Sequence, residues 1–179
     1  GNLTSYVLST IEFLGADPED ATLVSVPPYH IAGISAVLTS IYSGRRMVQL
    51  PAFTPEDWVD AVVAERITHA MVVPTMLGRI LDVLDARGIT LPTLRALSYG
   101  GGRMPVAVIE RAMDLMPAVD FVNAYGLTET SSTISVLDPE SHRAARASAD
   151  PAVRRRLSSV GLPLPVVELE IRDEAGEQV

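Results

Sequence analysis

His69-Ala-Met-Val-Val-Pro-Thr-Met-Leu-Gly-Arg-Ile-Leu-Asp-Val-Leu-Asp-Ala-Arg-Gly-Ile-Thr-Leu-Pro-Thr-Leu-Arg-Ala-Leu-Ser-Tyr99 decides the fold class. The run His69–Val73 is short, apolar and valine-rich, as a buried strand should be. Leu77, Ile80, Leu81 and Leu84 then recur at helical spacing on one face, with Thr75 as the expected cap and Gly88 as the stop. Leu94–Tyr99 is a second strand. Strand, helix, strand within roughly 30 residues is the unit from which a parallel sheet is built.

The same alternation extends in both directions. Thr22–Val26, Arg46–Leu50 and Phe121–Ala124 are further short strand candidates. Thr54-Pro55-Glu56-Asp57 supplies a cap, a proline at the first helical position and acidic residues in the first turn, and Trp58, Ala61, Val62 and Glu65 follow at helical spacing. Pro105 opens another helix, with Val108, Ile109, Ala112, Met113 and Met116 inside. The expected fold class is α/β: a layered, mostly parallel sheet flanked by helices. That core is expected over about 1–137. A polar excursion follows over about 138–159, with one short helix after Pro151. The start of a further strand region covers 160–179. There Val166–Arg172 alternates with period two, and the turn Asp173–Gly176 predicts a hairpin partner beyond Val179.

Composition narrows the function. Hydrophobic residues make up 47% of the 179, with a mean hydropathy of +0.25. Disorder is excluded, and part of this apolar surface is expected to face sequence outside the chain. The net charge of −8, from 22 acidic and 14 basic residues, argues against nucleic-acid binding. All 14 basic residues are arginine, so Schiff-base and P-loop lysine chemistry are excluded within this chain. There is no cysteine, which removes disulfides, thiolate catalysis and cysteine–zinc sites and fits a cytoplasmic protein. The opening residues predict no signal peptide, and no apolar run in this sequence is long enough for a transmembrane segment. The end at Glu174–Val179 looks like mid-loop sequence.

In parallel sheets, ligands gather at the carboxyl ends of strands. Two segments fall there. Gly100-Gly101-Gly102 lets backbone approach a planar or anionic ligand closely. Pro105 stands where the dinucleotide fingerprint needs its third glycine, so that fingerprint fails and a plain strand-to-helix turn remains open. Asn123-Ala-Tyr-Gly-Leu-Thr-Glu-Thr130 offers a ring at Tyr125, hydroxyls at Thr128 and Thr130, and a hard carboxylate at Glu129 suited to magnesium. On chemistry alone, a strand end with a threonine cap explains it equally.

That segment resembles the signature of the adenylate-forming superfamily, which includes acyl-CoA synthetases, luciferases and peptide-synthetase adenylation domains. Four more segments keep it company, in the family's order. Ser98-Tyr-Gly-Gly-Gly-Arg-Met-Pro105 is similar to the adenine loop, and Val26-Pro-Pro-Tyr-His-Ile-Ala-Gly33 to the proline–aromatic–histidine segment. Val72-Val-Pro-Thr-Met76 looks like the strand-to-helix step. Val160-Gly-Leu-Pro163 with Val167–Ile171 resembles the later Val-Gly-x-Pro and strand. Together they cover nearly the whole chain.

The resemblance implies an ATP-dependent acyl-CoA synthetase, an acid–thiol ligase that forms an acyl-adenylate and passes the acyl group to coenzyme A. Tyr125 would stack on the adenine of ATP or AMP. Gly100, Gly101 and Gly102 would wall its other face, with Asn123, Ala124 and Gly126 beside it. Thr128 would bind the α-phosphate and Glu129 the Mg2+. His30 would sit by the acyl carboxylate and the thioester-forming site, so the catalytic set implied is His30, Thr128 and Glu129. Val73, Tyr99 and Gly100 would line the pocket of a fatty or aryl acid. The family's phosphate loop with its lysine belongs upstream, and its ribose-binding aspartate and C-terminal domain downstream. The chain is therefore expected to be inactive alone and to need the remainder of the same polypeptide.

Gly102 and Arg103 depart from the Ala and Pro of many relatives, and Arg103 alters that loop. A non-catalytic adenine-nucleotide-binding module is the alternative from another class. A peptide-synthetase adenylation domain is a narrower rival, against which stands the lack of an acidic residue in Val26–Gly33. His30 on residues alone reads equally as a helix cap. His69 and His142 have no metal-ligand partner at useful spacing, and Arg154-Arg-Arg156 reads as a solvated face.

Overall fold

The computed structural model describes residues 2–27 and 29–179. Gly1 and Pro28, the latter inside the proline–aromatic–histidine segment, lie outside the described residues. Among the described residues, seven strands form one sheet: β1 Ala21–Val24, β2 Arg46–Gln49, β3 His69–Val72, β4 Ala96–Tyr99, β5 Asp120–Leu127, β6 Ser132–Leu137 and β7 Leu162–Pro163. Their order is β2-β1-β3-β4-β5-β6-β7. The first five in that row pair in parallel, and β6 and β7 are antiparallel. This is the expected α/β class with a mostly parallel sheet.

The alternation along β3 and β4 explains where the core sits. Ala70, Val72, Leu97 and Tyr99 point to one face and are buried there. Over them lie α3 Pro55–Ala64, α4 Pro74–Arg87 and α5 Val106–Leu115. These helices contribute Trp58, Val59 and Val62, then Leu77, Ile80, Leu81 and Leu84, then Ile109 and Ala112, all buried in the same core. The helical spacing in the sequence picked out all of these but Val59, because each helix has an apolar stripe facing the sheet; Glu65, placed at the same spacing, is exposed.

Helix punctuation follows local chemistry. The Thr54 hydroxyl accepts from the Asp57 backbone N–H at 3.0 Å, with Pro55 at the first helical position. Thr54→Ala is expected to cost about 1 kcal/mol of stability in urea denaturation; an unshifted midpoint would show that water replaces the cap in full. Gly88 ends α4 in the left-handed region, at φ 60°. Thr75 is not the cap of α4. Val73 holds that position without a side-chain bond and Pro74 is the first helical residue. Proline's fixed φ starts the helix before Thr75.

On the opposite face, α1 Asn2–Thr10 and α2 Ile31–Ser43 form a thinner layer. The residues α2 buries are small: Gly33, Ser40 and Ser43. Its large apolar side chains Ile34, Leu38 and Ile41 are exposed, with Leu8, Phe13, Leu14 and Met47 nearby in the same layer or on β2.

Two expectations fail at the C-terminal side. The region 138–159 carries more structure than one short helix: α6 Pro139–Ala147, α7 Pro151–Arg154 and a 3₁₀ turn Arg155–Ser158. The Asp138 carboxylate caps α6 by accepting from the Ser141 N–H at 2.7 Å. Only His142 and Ala145 of α6 are buried, so a narrow inward stripe is hidden in a polar composition. Val166–Arg172 forms no strand of the sheet. Val166, Leu169 and Ile171 stay exposed, and among the described residues no strand lies alongside to supply a ladder. The turn Asp173–Gly176 does form, and its partner lies within the chain, through an antiparallel bridge from Arg172 to Gln178.

Candidate functional site

The parallel strands deliver their carboxyl ends to one edge of the sheet. His30 follows β1, Val73 follows β3, Gly100–Gly102 follow β4, and β5 runs out through Tyr125 and Gly126. Between the ends of β4 and β5 lies a cleft of about 350 Å³, lined by Gly100–Met104, Asn123–Leu127 and Leu157, Ser158 and Val160. It brings together seven of the residues singled out in the sequence: Gly100, Gly101, Gly102, Asn123, Ala124, Tyr125 and Gly126.

The glycines have separate reasons. A Cβ on Gly100 would stand 2.3 Å from the Ala124 carbonyl oxygen, so only glycine lets the end of β4 pass β5 so closely. Gly101 has φ +74°, a left-handed backbone, and turns the chain away from the sheet. The result is a wall of bare main chain.

In the same cleft, Tyr125 is 38% exposed. It pairs with Ser135 on β6, and the register shifts between Tyr125 and Gly126. Such a bulge re-aims the strand end. The turn that follows is closed by Thr130, whose hydroxyl accepts from the Leu127 N–H and donates to the Leu127 carbonyl, each at 2.9 Å. Asn123–Thr130 is thus the first strand and turn of a hairpin, and Thr128 and Glu129 stand exposed at its tip outside the cleft lining.

The third side of the cleft was not foreseen. Leu157 is fully buried, and the Asn123 side-chain N–H donates to the Ser159 carbonyl at 2.9 Å, which holds this segment on β5. The apolar Leu157 after three arginines was the available signal, together with Val160-Gly161. Met104 also lines the cleft, beyond the glycine run.

Several candidates sit elsewhere. His30 is the N-cap residue of α2, makes no side-chain cap bond, and is exposed with its ring 4.9 Å from that of Tyr29. Val73 lies behind the glycine wall, with a methyl 3.4 Å from the Cβ position of Gly101. Tyr99 is fully buried; its ring points into the core and its hydroxyl lies 2.8 Å from His142 Nε2. Burial pushes the Tyr99 phenol up and the His142 imidazole down. His69 lies at the amino end of β3, with Nδ1 2.7 Å from the Thr68 hydroxyl, and burial is the main cause of its lowered pKa. Of the three consecutive arginines, Arg154 pairs with Glu110, and Arg155 and Arg156 are exposed.

A smaller hollow of about 190 Å³ at the amino edge is lined by Glu19, Arg66, Thr68, Pro92, Thr93 and Arg95. It offers no ring, and its Arg95 is already paired with Asp20 at 3.1 Å. The carboxyl-edge cleft combines bare backbone, an aromatic face and an amide, which suits a flat heterocycle. Among the described residues no cluster of three or more His, Asp or Glu side chains could hold a metal. Glu129 is a single exposed carboxylate, suited to a cation that also takes ligands from phosphate. No helix among the described residues is long and apolar enough to cross a membrane.

A family model described as AMP-binding enzyme matches residues 1–179. The 2-succinylbenzoate–CoA ligase of Lactococcus lactis is 30% identical over 176 residues, which is 96% of this chain and 34% of the ligase. The long-chain-fatty-acid–CoA ligase of Thermus thermophilus is 28% identical over 99% of this chain and 32% of its own length. Among solved structures, O-succinylbenzoate coenzyme A synthetase from Bacillus subtilis, in complex with ATP and magnesium ion, matches with a TM-score of 0.80 and 26% identity, over 99% of this chain and 34% of that one. An amide bond synthetase from Marinactinospora thermotolerans matches at 0.82 and 28%, over 99% and 33%. The chain spans about a third of the length of the curated relatives it matches.

Proposed function

The chain belongs to the AMP-binding enzyme family, and from that footing we propose that it carries the adenine-nucleotide site of an ATP-dependent acyl-CoA ligase. The observation that carries the proposal is the cleft itself, in which Gly100–Gly102 and Tyr125 line one space of about 350 Å³. A purine slides between main chain and ring. With its amide N–H on Ser159, Asn123 turns its carboxamide oxygen to the exocyclic amine of adenine. Thr128 and Glu129, at the exposed hairpin tip, reach toward the phosphates. Magnesium supplies charge neutralisation there, and Glu129 is the carboxylate this chain offers it.

The reaction is an adenylyl transfer followed by an acyl transfer. A carboxylate oxygen attacks the α-phosphorus of ATP and pyrophosphate leaves. A thiol, coenzyme A, then attacks the acyl carbon and AMP leaves. His30 stands at the carboxyl end of β1 for the acid and thioester side. Val73, the backbone of Tyr99 and Gly100 border the acid pocket, for which fatty and aryl acids are the candidates. The ligase relatives support this class of reaction, and a cytoplasmic setting is part of the same proposal.

The inverted packing of α2 supports the further proposal that the remainder of the same polypeptide covers this layer. A helix that buries serines and exposes Ile34, Leu38 and Ile41 is packed for two sides. The phosphate loop and the C-terminal domain are assigned to that remainder. Titration calorimetry of the chain with AMP, alongside acid-dependent ATP–pyrophosphate exchange, tests the reading. Expected are measurable AMP binding and no exchange. A folded chain blind to AMP overturns the nucleotide site, and robust exchange overturns the need for the remainder.

A further inference from the structure

We propose that His142 is a positioning residue: with Tyr99 it latches the two walls of the cleft together, and protonation of its ring releases them. One wall, Gly100–Gly102, begins at the residue after Tyr99. The other, Leu157–Val160, follows from α6 through α7. The Tyr99–His142 bond joins β4 to α6 behind the cleft, where both residues are at most 1% exposed.

The hydrogens can be assigned from chemistry. His142 Nδ1 lies 2.7 Å from the Asp138 backbone carbonyl oxygen. A carbonyl only accepts, so Nδ1 carries the proton. Nε2 of the neutral ring then has only its lone pair, and it accepts from the Tyr99 hydroxyl. The rings meet edge to face, 5.7 Å apart at 85°. Both ring nitrogens and the phenol are satisfied with no water.

The ion pairs on this segment are exposed or, for Arg154–Glu110, half-buried. Arg143 pairs with Asp120 of β5 at 2.5 Å, Arg146 with Asp114 of α5 at 2.9 Å, and Arg154 with Glu110 of α5. Solvent screens such pairs, and each contributes little. Among the described residues, the buried ties of this segment are the Asn123–Ser159 bond, the packing of Ala145 and Leu157, and the latch, which is the one of them that can titrate.

A proton added at Nε2 consumes the lone pair. The Tyr99 hydroxyl then faces a donor, and a cation sits where neutral packing was. Around it, the Asp138 carboxylate on its own helix attracts that charge but is already engaged by the Ser141 N–H. Arg143 on the same helix repels it, and Asp120 on β5 is committed to Arg143. On the α5 and α7 side, Arg146 and Arg154 are matched by Asp114 and Glu110, and Arg155 and Arg156 point to solvent. Among the described residues, none of these groups compensates the cation in full.

Burial depresses the His142 pKa in the folded chain. Its contribution is therefore complete above the ordinary histidine value of about 6.5 and is lost as pH falls below it.

The experiment is hydrogen exchange at Ser158–Gly161, with 15N-histidine spectra and AMP titration on the same chain, from pH 7.5 to 5. The AMP arm rests on the nucleotide reading; the exchange arm does not. Expected in the wild-type chain is a rise of about tenfold in exchange, relative to the intrinsic rate, for each pH unit between about 6.5 and the depressed folded-state value, levelling off below it. AMP affinity falls in parallel. His142→Gln keeps an acceptor for Tyr99 that does not titrate. It should abolish the pH step and leave AMP affinity at pH 7.5 within about twofold. Tyr99→Phe should open the Leu157–Val160 wall at every pH, which keeps the test valid if His142→Gln misfolds. His69→Gln, at the other edge of the sheet, should leave the step in place. A step that survives His142→Gln, or a wall whose exchange ignores pH, overturns the latch. A wall that opens on cue in a chain that never binds AMP overturns only the nucleotide reading.

Discussion

Gly161→Ala is expected to destabilise the chain by on the order of 3 kcal/mol, read as a lowered urea midpoint with Trp58 fluorescence as the probe. Two costs combine. Gly161 has φ +74°, where an L side chain loses about 1–2 kcal/mol. In addition, an added Cβ would stand 1.9 Å from the Val136 carbonyl oxygen and 2.3 Å from the Leu137 nitrogen. Those atoms are main chain of β6, so no side chain can swing aside. Either the strand shifts or β7 leaves it. Because Gly161 adjoins Val160, the variant should also loosen the cleft wall. A loss under about 0.5 kcal/mol, the usual range for an inconsequential surface change, would mean that this segment packs differently.

Tyr125→Ala is expected to weaken AMP binding by roughly ten- to a hundredfold, the loss of one base–aromatic stack at about 1–3 kcal/mol. Tyr125 is partly exposed on a strand held by backbone pairing to β4 and β6, so the variant should fold. Tyr125→Phe keeps the ring and should bind within about twofold of the wild-type chain, since the stack needs only the π face. Calorimetry on the three proteins decides it. Equal affinity in Tyr125→Ala would remove the ring from the proposed site, and a loss in Tyr125→Phe as large as in Tyr125→Ala would assign the energy to the hydroxyl.

Where the chain obeys one period, its sequence sufficed. His69–Val72, Ala96–Tyr99 and the stripe Leu77, Ile80, Leu81 and Leu84 are local patterns whose partners are each other. The misreadings concern residues whose behaviour is set at a distance. His142 looks like a surface histidine between Ser141 and Arg143, and only β4, more than forty residues away, makes it a core residue. Val166–Ile171 alternates as a strand would, yet among the described residues no strand lies beside it to form a ladder. Thr75 lost its capping role to Pro74 by a contest one residue wide. In the cleft, the glycines and Tyr125 were visible as residue types. Leu157 and Ser158 were not, and Val160 was visible only as part of Val160–Pro163 and not as cleft lining, because a wall that folds back across the sheet leaves no periodic trace in its own segment.

β5 is the strand where the two kinds of pairing meet, parallel to β4 and antiparallel to β6. That junction has a consequence in time. Each parallel pair must wait for a crossover to close, and loop closure over long separations slows folding. The β5–β6 hairpin needs only the four residues Thr128–Ser131 and forms on the order of 1–10 μs. The edge carrying Tyr125 is therefore expected to be assembled first, with the glycine wall of β4 docking onto a strand already in place.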